Sequence, residues 1–112
     1  MTKMKVAIPV FGLHVSPRCD CAQEMLFLEF ENGKIVSRKI ASMDKMNSIQ
    51  RIRVISTSGI TLLICGSVSG FFKRMIEALG ILIMHTESVA IDALIEHLKR
   101  GEFNLSTCRK RE

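Results

Sequence analysis

Three short apolar runs most constrain how this chain folds. In the segments between them, the hydrophobic residues recur at other spacings. The three runs are KVAIPV at residues 5–10, ITLLICG at 60–66 and ILIM at 81–84. Such continuous apolar runs, rich in β-branched residues, are typical of strands that are buried on both faces. Helical segments lie between the runs, so we expect the three strands to be parallel to one another.

A β-hairpin is predicted between the first and the second run. The segment EMLFLEFENGKIVSRKIA, residues 24–41, contains two strand-like runs on either side of Asn32-Gly33. This dipeptide suits a type I′ turn, because both central residues of that turn need a positive φ. The hairpin adds two strands, so the expected fold is α/β with a mixed five-stranded sheet. With strands numbered along the chain, the expected order is 3-2-1-4-5.

In three segments the apolar residues recur with the period of an amphipathic helix. Each segment ends near a glycine, a residue that suits the C-terminus of a helix. The first lies within residues 43–59, the second within 67–80 and the third within 86–101. Candidate N-caps are Ser67 or Ser69 for the second helix and Thr86 or Ser88 for the third. The apolar stripes predicted to face the core are Met46, Ile49, Ile52 and Ile55 or Val54; Phe72, Met75, Ile76 and Leu79; and Ile91, Leu94, Ile95 and Leu98.

The length of 112 residues predicts one domain, over residues 1–104, and the last residues form a basic tail at 105–112. The net charge is +5, yet the chain has no Trp and no Tyr. Nucleic-acid modules that stack bases need aromatic platforms, so we expect no nucleic-acid partner.

The first apolar run is short and is interrupted by Pro9, which argues against a signal peptide or a membrane span. We therefore expect a cytoplasmic protein without a membrane partner.

The four cysteines are expected to be free thiols or metal ligands, because disulfides are rare in a reducing compartment. Cys19 and Cys21 stand one residue apart in the loop VSPRCDCA, and Cys65 ends the second apolar run. In open α/β sheets, ligands bind beyond the carboxyl ends of parallel strands, where the strand order reverses. This rule brings the three cysteines to one edge of the sheet.

Thiolates are the preferred ligands of iron–sulfur clusters and soft metals, so Cys19, Cys21 and Cys65 are the candidate metal ligands. Gly66 and Ser67 open the turn before the second helix, where backbone N–H groups favour an anion. Arg18 lies beside the first cysteine and is a candidate for neutralising an anionic cluster.

Several of these residues also have an ordinary structural interpretation. Cys65 is equally well explained as a small apolar residue at a strand end. His85 is either a fourth ligand or a histidine whose hydrogen bonds are satisfied at the end of the third apolar run. His14 is a further possible ligand in the first loop, and Cys108 in the basic tail is expected to have no role.

Five features in order resemble the dinitrogenase iron–molybdenum cofactor biosynthesis family, which includes NifX/NifY-like proteins and the C-terminal domain of NifB. They are MKVAIPV, VSP followed by Asp-Cys-Ala, the Asn-Gly hairpin, LLICGSVSG and ALGILI. The resemblance covers residues 4–103 and implies a ribonuclease H-like three-layer fold. It also implies binding of iron–sulfur or iron–molybdenum clusters rather than catalysis. Many members have histidine and an aromatic residue where this chain has Arg18 and Cys19.

The resemblance and the cysteines together predict a non-enzymatic carrier of an iron–sulfur or iron–molybdenum (Mo/Fe–S) cluster or precursor. Its partner would be a metallocofactor assembly or recipient protein, and a second copy of the chain is a possible source of further ligands. The alternatives are a thiol–disulfide redox protein, in which Cys19 or Cys21 pairs with Cys65, and a regulatory or scaffold domain that binds no metal.

Overall fold

A computed structural model describes residues 3–16, 22–32, 34–86 and 90–100. They form a mixed α/β structure of six strands and three helices. In chain order the elements are β1 (Lys3–Phe11), β2 (His14–Val15), β3 (Glu24–Glu31), β4 (Lys34–Ser42), α1 (Ser48–Thr57), β5 (Leu62–Cys65), α2 (Gly70–Ala78), β6 (Leu82–His85) and α3 (Ile91–Arg100). The predicted α/β class is confirmed. The tail at residues 105–112 lies outside the described residues.

The sheet is built around β1, which is antiparallel to β3 on one side and parallel to β5 on the other. The five longer strands follow the path β4-β3-β1-β5-β6, and β5 and β6 are parallel. The five-strand expectation is wrong in one respect, because β2 adds a sixth strand that pairs with β1. The sequence predicts a loop at this position. A tight turn at Gly12, with a φ of 63°, reverses the chain, and Val15 is then fully buried against β1.

Each face of the sheet has its own apolar core, which gives the molecule three layers. The first core joins alternate residues of β1, β3 and β5 to α3. All four residues of the predicted α3 stripe are buried there, namely Ile91, Leu94, Ile95 and Leu98. The second core joins the other face to α1 and α2, and it contains Cys65.

The predicted stripes of α1 and α2 are only partly correct. Ile52 and Ile55 are buried in α1, and Phe72 and Ile76 are buried in α2. However, Ile49, Met75 and Leu79 are 47%, 39% and 47% exposed, respectively, and Met46 precedes α1. These helices have ten and nine residues, so each presents only a narrow strip to the sheet.

Capping residues in the sequence account for the start of α1 and for both ends of α2. Asn47 and Gln50 form a reciprocal capping box at the start of α1. Ser69, one of the two predicted caps, accepts a hydrogen bond from the backbone N–H of Phe72 at 3.2 Å. Gly80 has a φ of 80° just after α2, a conformation that favours glycine.

Candidate functional site

The carboxyl ends of β1, β5 and β6 lie at one edge of the sheet, which we call the carboxyl edge. The parallel pairing of β1 with β5 and of β5 with β6 places their last residues together. Strand β3 runs the opposite way and begins at this edge, because Glu24 pairs with Val10. The neighbours of β1 are antiparallel on one side and parallel on the other, so this edge is the reversal point at which α/β sheets bind ligands.

The cysteine-bearing loop leaves and rejoins the sheet at the carboxyl edge. On the leaving side, the backbone N–H of Ser16 donates to the carbonyl oxygen of Pro9 at 2.8 Å, and Ser16 is 6% exposed. On the returning side, Ala22 is buried, and the N–H of Met43 donates to the carbonyl oxygen of Gln23 at 2.7 Å. Both ends of the loop are therefore fixed by backbone hydrogen bonds. The predicted site residues between them, Arg18, Cys19 and Cys21, lie outside the described residues.

A buried arginine of α1 holds the returning end of this loop. Arg51 is 5% exposed, and its Nε donates to the carbonyl oxygen of Met46 at 3.0 Å. Its Nη1 donates to the carbonyl oxygen of Ala22, the residue that follows Cys21. Our sequence reasoning missed Arg51. Its spacing was the available signal, because it lies four residues before the buried Ile55 and so shares the inner face of α1.

The three predicted residues of the β5–α2 turn differ in how accessible they are. Cys65 is fully buried in the core between the sheet and α2, while its carbonyl oxygen accepts a hydrogen bond from the N–H of Thr86 at 2.9 Å. Gly66 is half-buried and Ser67 is exposed. The burial of Cys65 suits its packing role, and a ligand at the surface would meet the turn before it met this thiol.

Arg74, in the second turn of α2, adds positive charge at the carboxyl edge. The Arg74 side chain folds back along the helix towards Gly70, the first residue of α2. The guanidinium therefore lies beside the N-terminal end of α2, where the helix dipole is also positive. The combination favours an anionic ligand at this edge.

His85 lies next to Cys65, because these two residues are register partners in the parallel pair of β5 and β6. Its Nδ1 lies 3.0 Å from the carbonyl oxygen of Gly66. The residue is half-buried. Strand pairing thus brings two of the candidate ligands together at the carboxyl edge.

His14 lies in β2. It is exposed, forms a bridge with Ala90, and lines a cleft of about 210 Å³ together with Arg38 and Asp92. Within residues 3–16, 22–32, 34–86 and 90–100, no group of three or more His, Cys, Asp or Glu side chains is arranged to hold a metal ion.

Comparison with known proteins gives the same fold. No family model matches the chain. An uncharacterized protein of Methanocaldococcus jannaschii is 23% identical over an alignment of 104 positions, and the match covers 88% of each chain. A second protein of that organism, named as a candidate dinitrogenase, superposes with a TM-score of 0.78 at 22% identity over 93% of this chain and 95% of its own.

Two further solved structures share this architecture. A candidate NifB protein from Thermotoga has a TM-score of 0.67 at 19% identity, over 88% of this chain and 89% of its own. The apo form of the orange protein from Desulfovibrio gigas has a TM-score of 0.70 at 17% identity, with the same coverage. The chain has the fold of these proteins.

The helices are short and amphipathic. Among the described residues, none is both long enough and apolar enough to cross a membrane.

Proposed function

We propose that this protein is a non-enzymatic carrier of an iron–sulfur or iron–molybdenum (Mo/Fe–S) cluster or its precursor. It would exchange this cargo with a metallocofactor assembly or recipient protein in the cytoplasm, without a nucleic-acid partner. The proposal includes the finer assignment to NifX/NifY-like proteins with a ribonuclease H-like fold. The names of the candidate dinitrogenase and the candidate NifB protein support it, as does the existence of an apo form of the orange protein.

The observation that carries the proposal is the anchoring of the cysteine-bearing loop at the carboxyl edge. Ser16 and Ala22 are both buried and lie at the two ends of this loop, beside the strand ends at the reversal point of the sheet. The sequence between them supplies two thiols, Cys19 and Cys21. Thiolates bind iron in iron–sulfur clusters, so a loop fixed at both ends on an open edge suits binding and later release.

The charges at the carboxyl edge suit an anionic cargo. A cluster held by thiolates carries negative charge, and Arg74 beside the N-terminal end of α2 offers a positive potential to it. Arg18 would add to this potential. Cys65 is fully buried, so the proposal assigns ligation first to Cys19 and Cys21, with Cys65 as a further ligand.

The test is anaerobic reconstitution of the purified protein with iron and sulfide, with and without molybdate. We expect a visible chromophore with stoichiometric metal, which a Cys19→Ser/Cys21→Ser double variant loses. Cys108→Ser is the matched control, because it removes a thiol from the basic tail and should leave the chromophore intact. A wild-type protein that stays colourless and metal-free would refute the carrier function. Reversible disulfide formation in that protein would favour the thiol–disulfide alternative.

A further inference from the structure

His85 is placed at the carboxyl edge in a way that fixes which of its ring nitrogens is available. Its Nδ1 lies 3.0 Å from the carbonyl oxygen of Gly66. A carbonyl oxygen only accepts hydrogen bonds, so Nδ1 must carry the proton that is donated. In the neutral ring the lone pair then belongs to Nε2, which points away from Gly66. Among the described residues, the ring has no other hydrogen-bond partner.

This arrangement is the one that metal-binding histidines commonly use. Such residues donate one ring N–H to a backbone carbonyl or a carboxylate, which fixes the tautomer and the orientation of the ring. The other nitrogen then faces the metal. Here the orienting carbonyl belongs to Gly66, in the same turn that leads from Cys65 into α2. The ring and the turn are therefore held together at the carboxyl edge.

The position of His85 in the sheet supports the same role. It is the last residue of β6 and the register partner of Cys65, the last residue of β5. Neighbouring strands lie about 4.8 Å apart, so the two residues are adjacent across the strands. Cys65 is fully buried, whereas His85 is only half-buried. Of these two adjacent residues, the histidine is the one that a ligand at the surface can reach.

We propose that Nε2 of His85 is a nitrogen ligand of the metal cargo. This inference rests on the proposed carrier function and concerns the described residue His85 alone. An imidazole binds iron and other transition metals, and it replaces thiolate ligands in some iron–sulfur centres.

The experiment is pulsed electron paramagnetic resonance of the reduced protein after anaerobic reconstitution with iron and sulfide. We expect a coupling between the electron spin and an imidazole nitrogen, which His85→Gln loses. The matched control is His97→Gln, because His97 is exposed on α3, on the opposite face of the sheet. This variant should keep the coupling. Circular dichroism and the urea midpoint of His85→Gln would show that the variant is folded.

The outcomes separate this inference from the proposed function. A cluster that shows no nitrogen coupling in the wild type, or keeps it in His85→Gln, would overturn the role of His85 and leave the carrier function standing. A wild-type protein that binds no cluster would overturn both. A second measurement is nitrogen-15 chemical shifts of the ring in the metal-free protein. They should show the Nδ1–H tautomer, and the Nε2–H tautomer would contradict the inference.

Discussion

Replacement of the buried Arg51 by alanine should destabilise the fold more than replacement of any exposed arginine. Arg51 is 5% exposed, and its guanidinium donates to two backbone carbonyl oxygens, those of Met46 and Ala22. A hydrogen bond from a charged donor stabilises a protein by about 1.5–3 kcal/mol, so the pair accounts for about 3–6 kcal/mol. Removal of the cation also removes its desolvation cost, which offsets part of this loss.

The net expectation for Arg51→Ala is a decrease of about 3 kcal/mol in the free energy of unfolding. Arg51→Lys should lose about half as much, because one ammonium group replaces a planar fork that reaches both carbonyls. Arg53→Ala is the matched control on the same helix, since Arg53 is exposed, and its change should stay within about 0.5 kcal/mol.

Urea unfolding, followed by circular dichroism, measures these differences. With a denaturant slope of about 2 kcal/mol per molar urea, Arg51→Ala should unfold at a midpoint about 1.5 M lower than the wild type. An unchanged midpoint, equal to that of Arg53→Ala, would show that the two hydrogen bonds contribute nothing net to stability. Equal midpoints for Arg51→Lys and the wild type would instead show that the charge matters and the fork geometry does not.

Five further substitutions, two of which are matched controls, test the packing and the helix ends through the same unfolding measurement. Asn47→Ala removes the side-chain half of the capping box and should cost about 1 kcal/mol, whereas Asn47→Asp should change stability by only a few tenths. Leu94→Ala opens the buried core under α3 and should cost about 2–5 kcal/mol, whereas Leu79→Ala, at a side chain that is 47% exposed, should cost less than about 1 kcal/mol. Gly80→Ala meets no atom within 4 Å, so its expected cost of about 1 kcal/mol comes from the positive φ alone; an unchanged midpoint would contradict that strain.

The sequence predicted those parts of the fold that local patterns determine. The α3 stripe was predicted correctly because Leu94 and Leu98, with their two isoleucine neighbours, form a continuous strip over one core. The stripes predicted for α1 and α2 were only partly correct. The spacing of hydrophobic residues does not show how many of them a short helix buries against the sheet. Met75 and Leu79 follow the period of a buried face, yet both remain substantially exposed.

Burial of a charged residue is hard to predict from one sequence, and Arg51 shows why. A charge usually marks the solvent face of a helix, since an unpaired buried charge is costly. Here two backbone carbonyl oxygens accept from the guanidinium, and one of them belongs to Ala22, 29 residues away in the chain. That acceptor is brought to α1 by the tertiary fold, so no local pattern in the sequence around Arg51 announces it.

The candidate site shows the same division between local and long-range information. Strand directions follow from the crossover helices, so the arrival of Cys65 and His85 at one edge could be predicted. Their different environments could not, because these depend on register. The pairing of Leu62 with Leu82 at the start of β5 and β6 sets Cys65 against His85 at their ends. A shift of one residue would turn His85 to the opposite face of the sheet and away from Gly66, since successive side chains alternate. The orientation of the imidazole is thus decided by the apolar packing of two short strands, which makes the core on that face part of the proposed site.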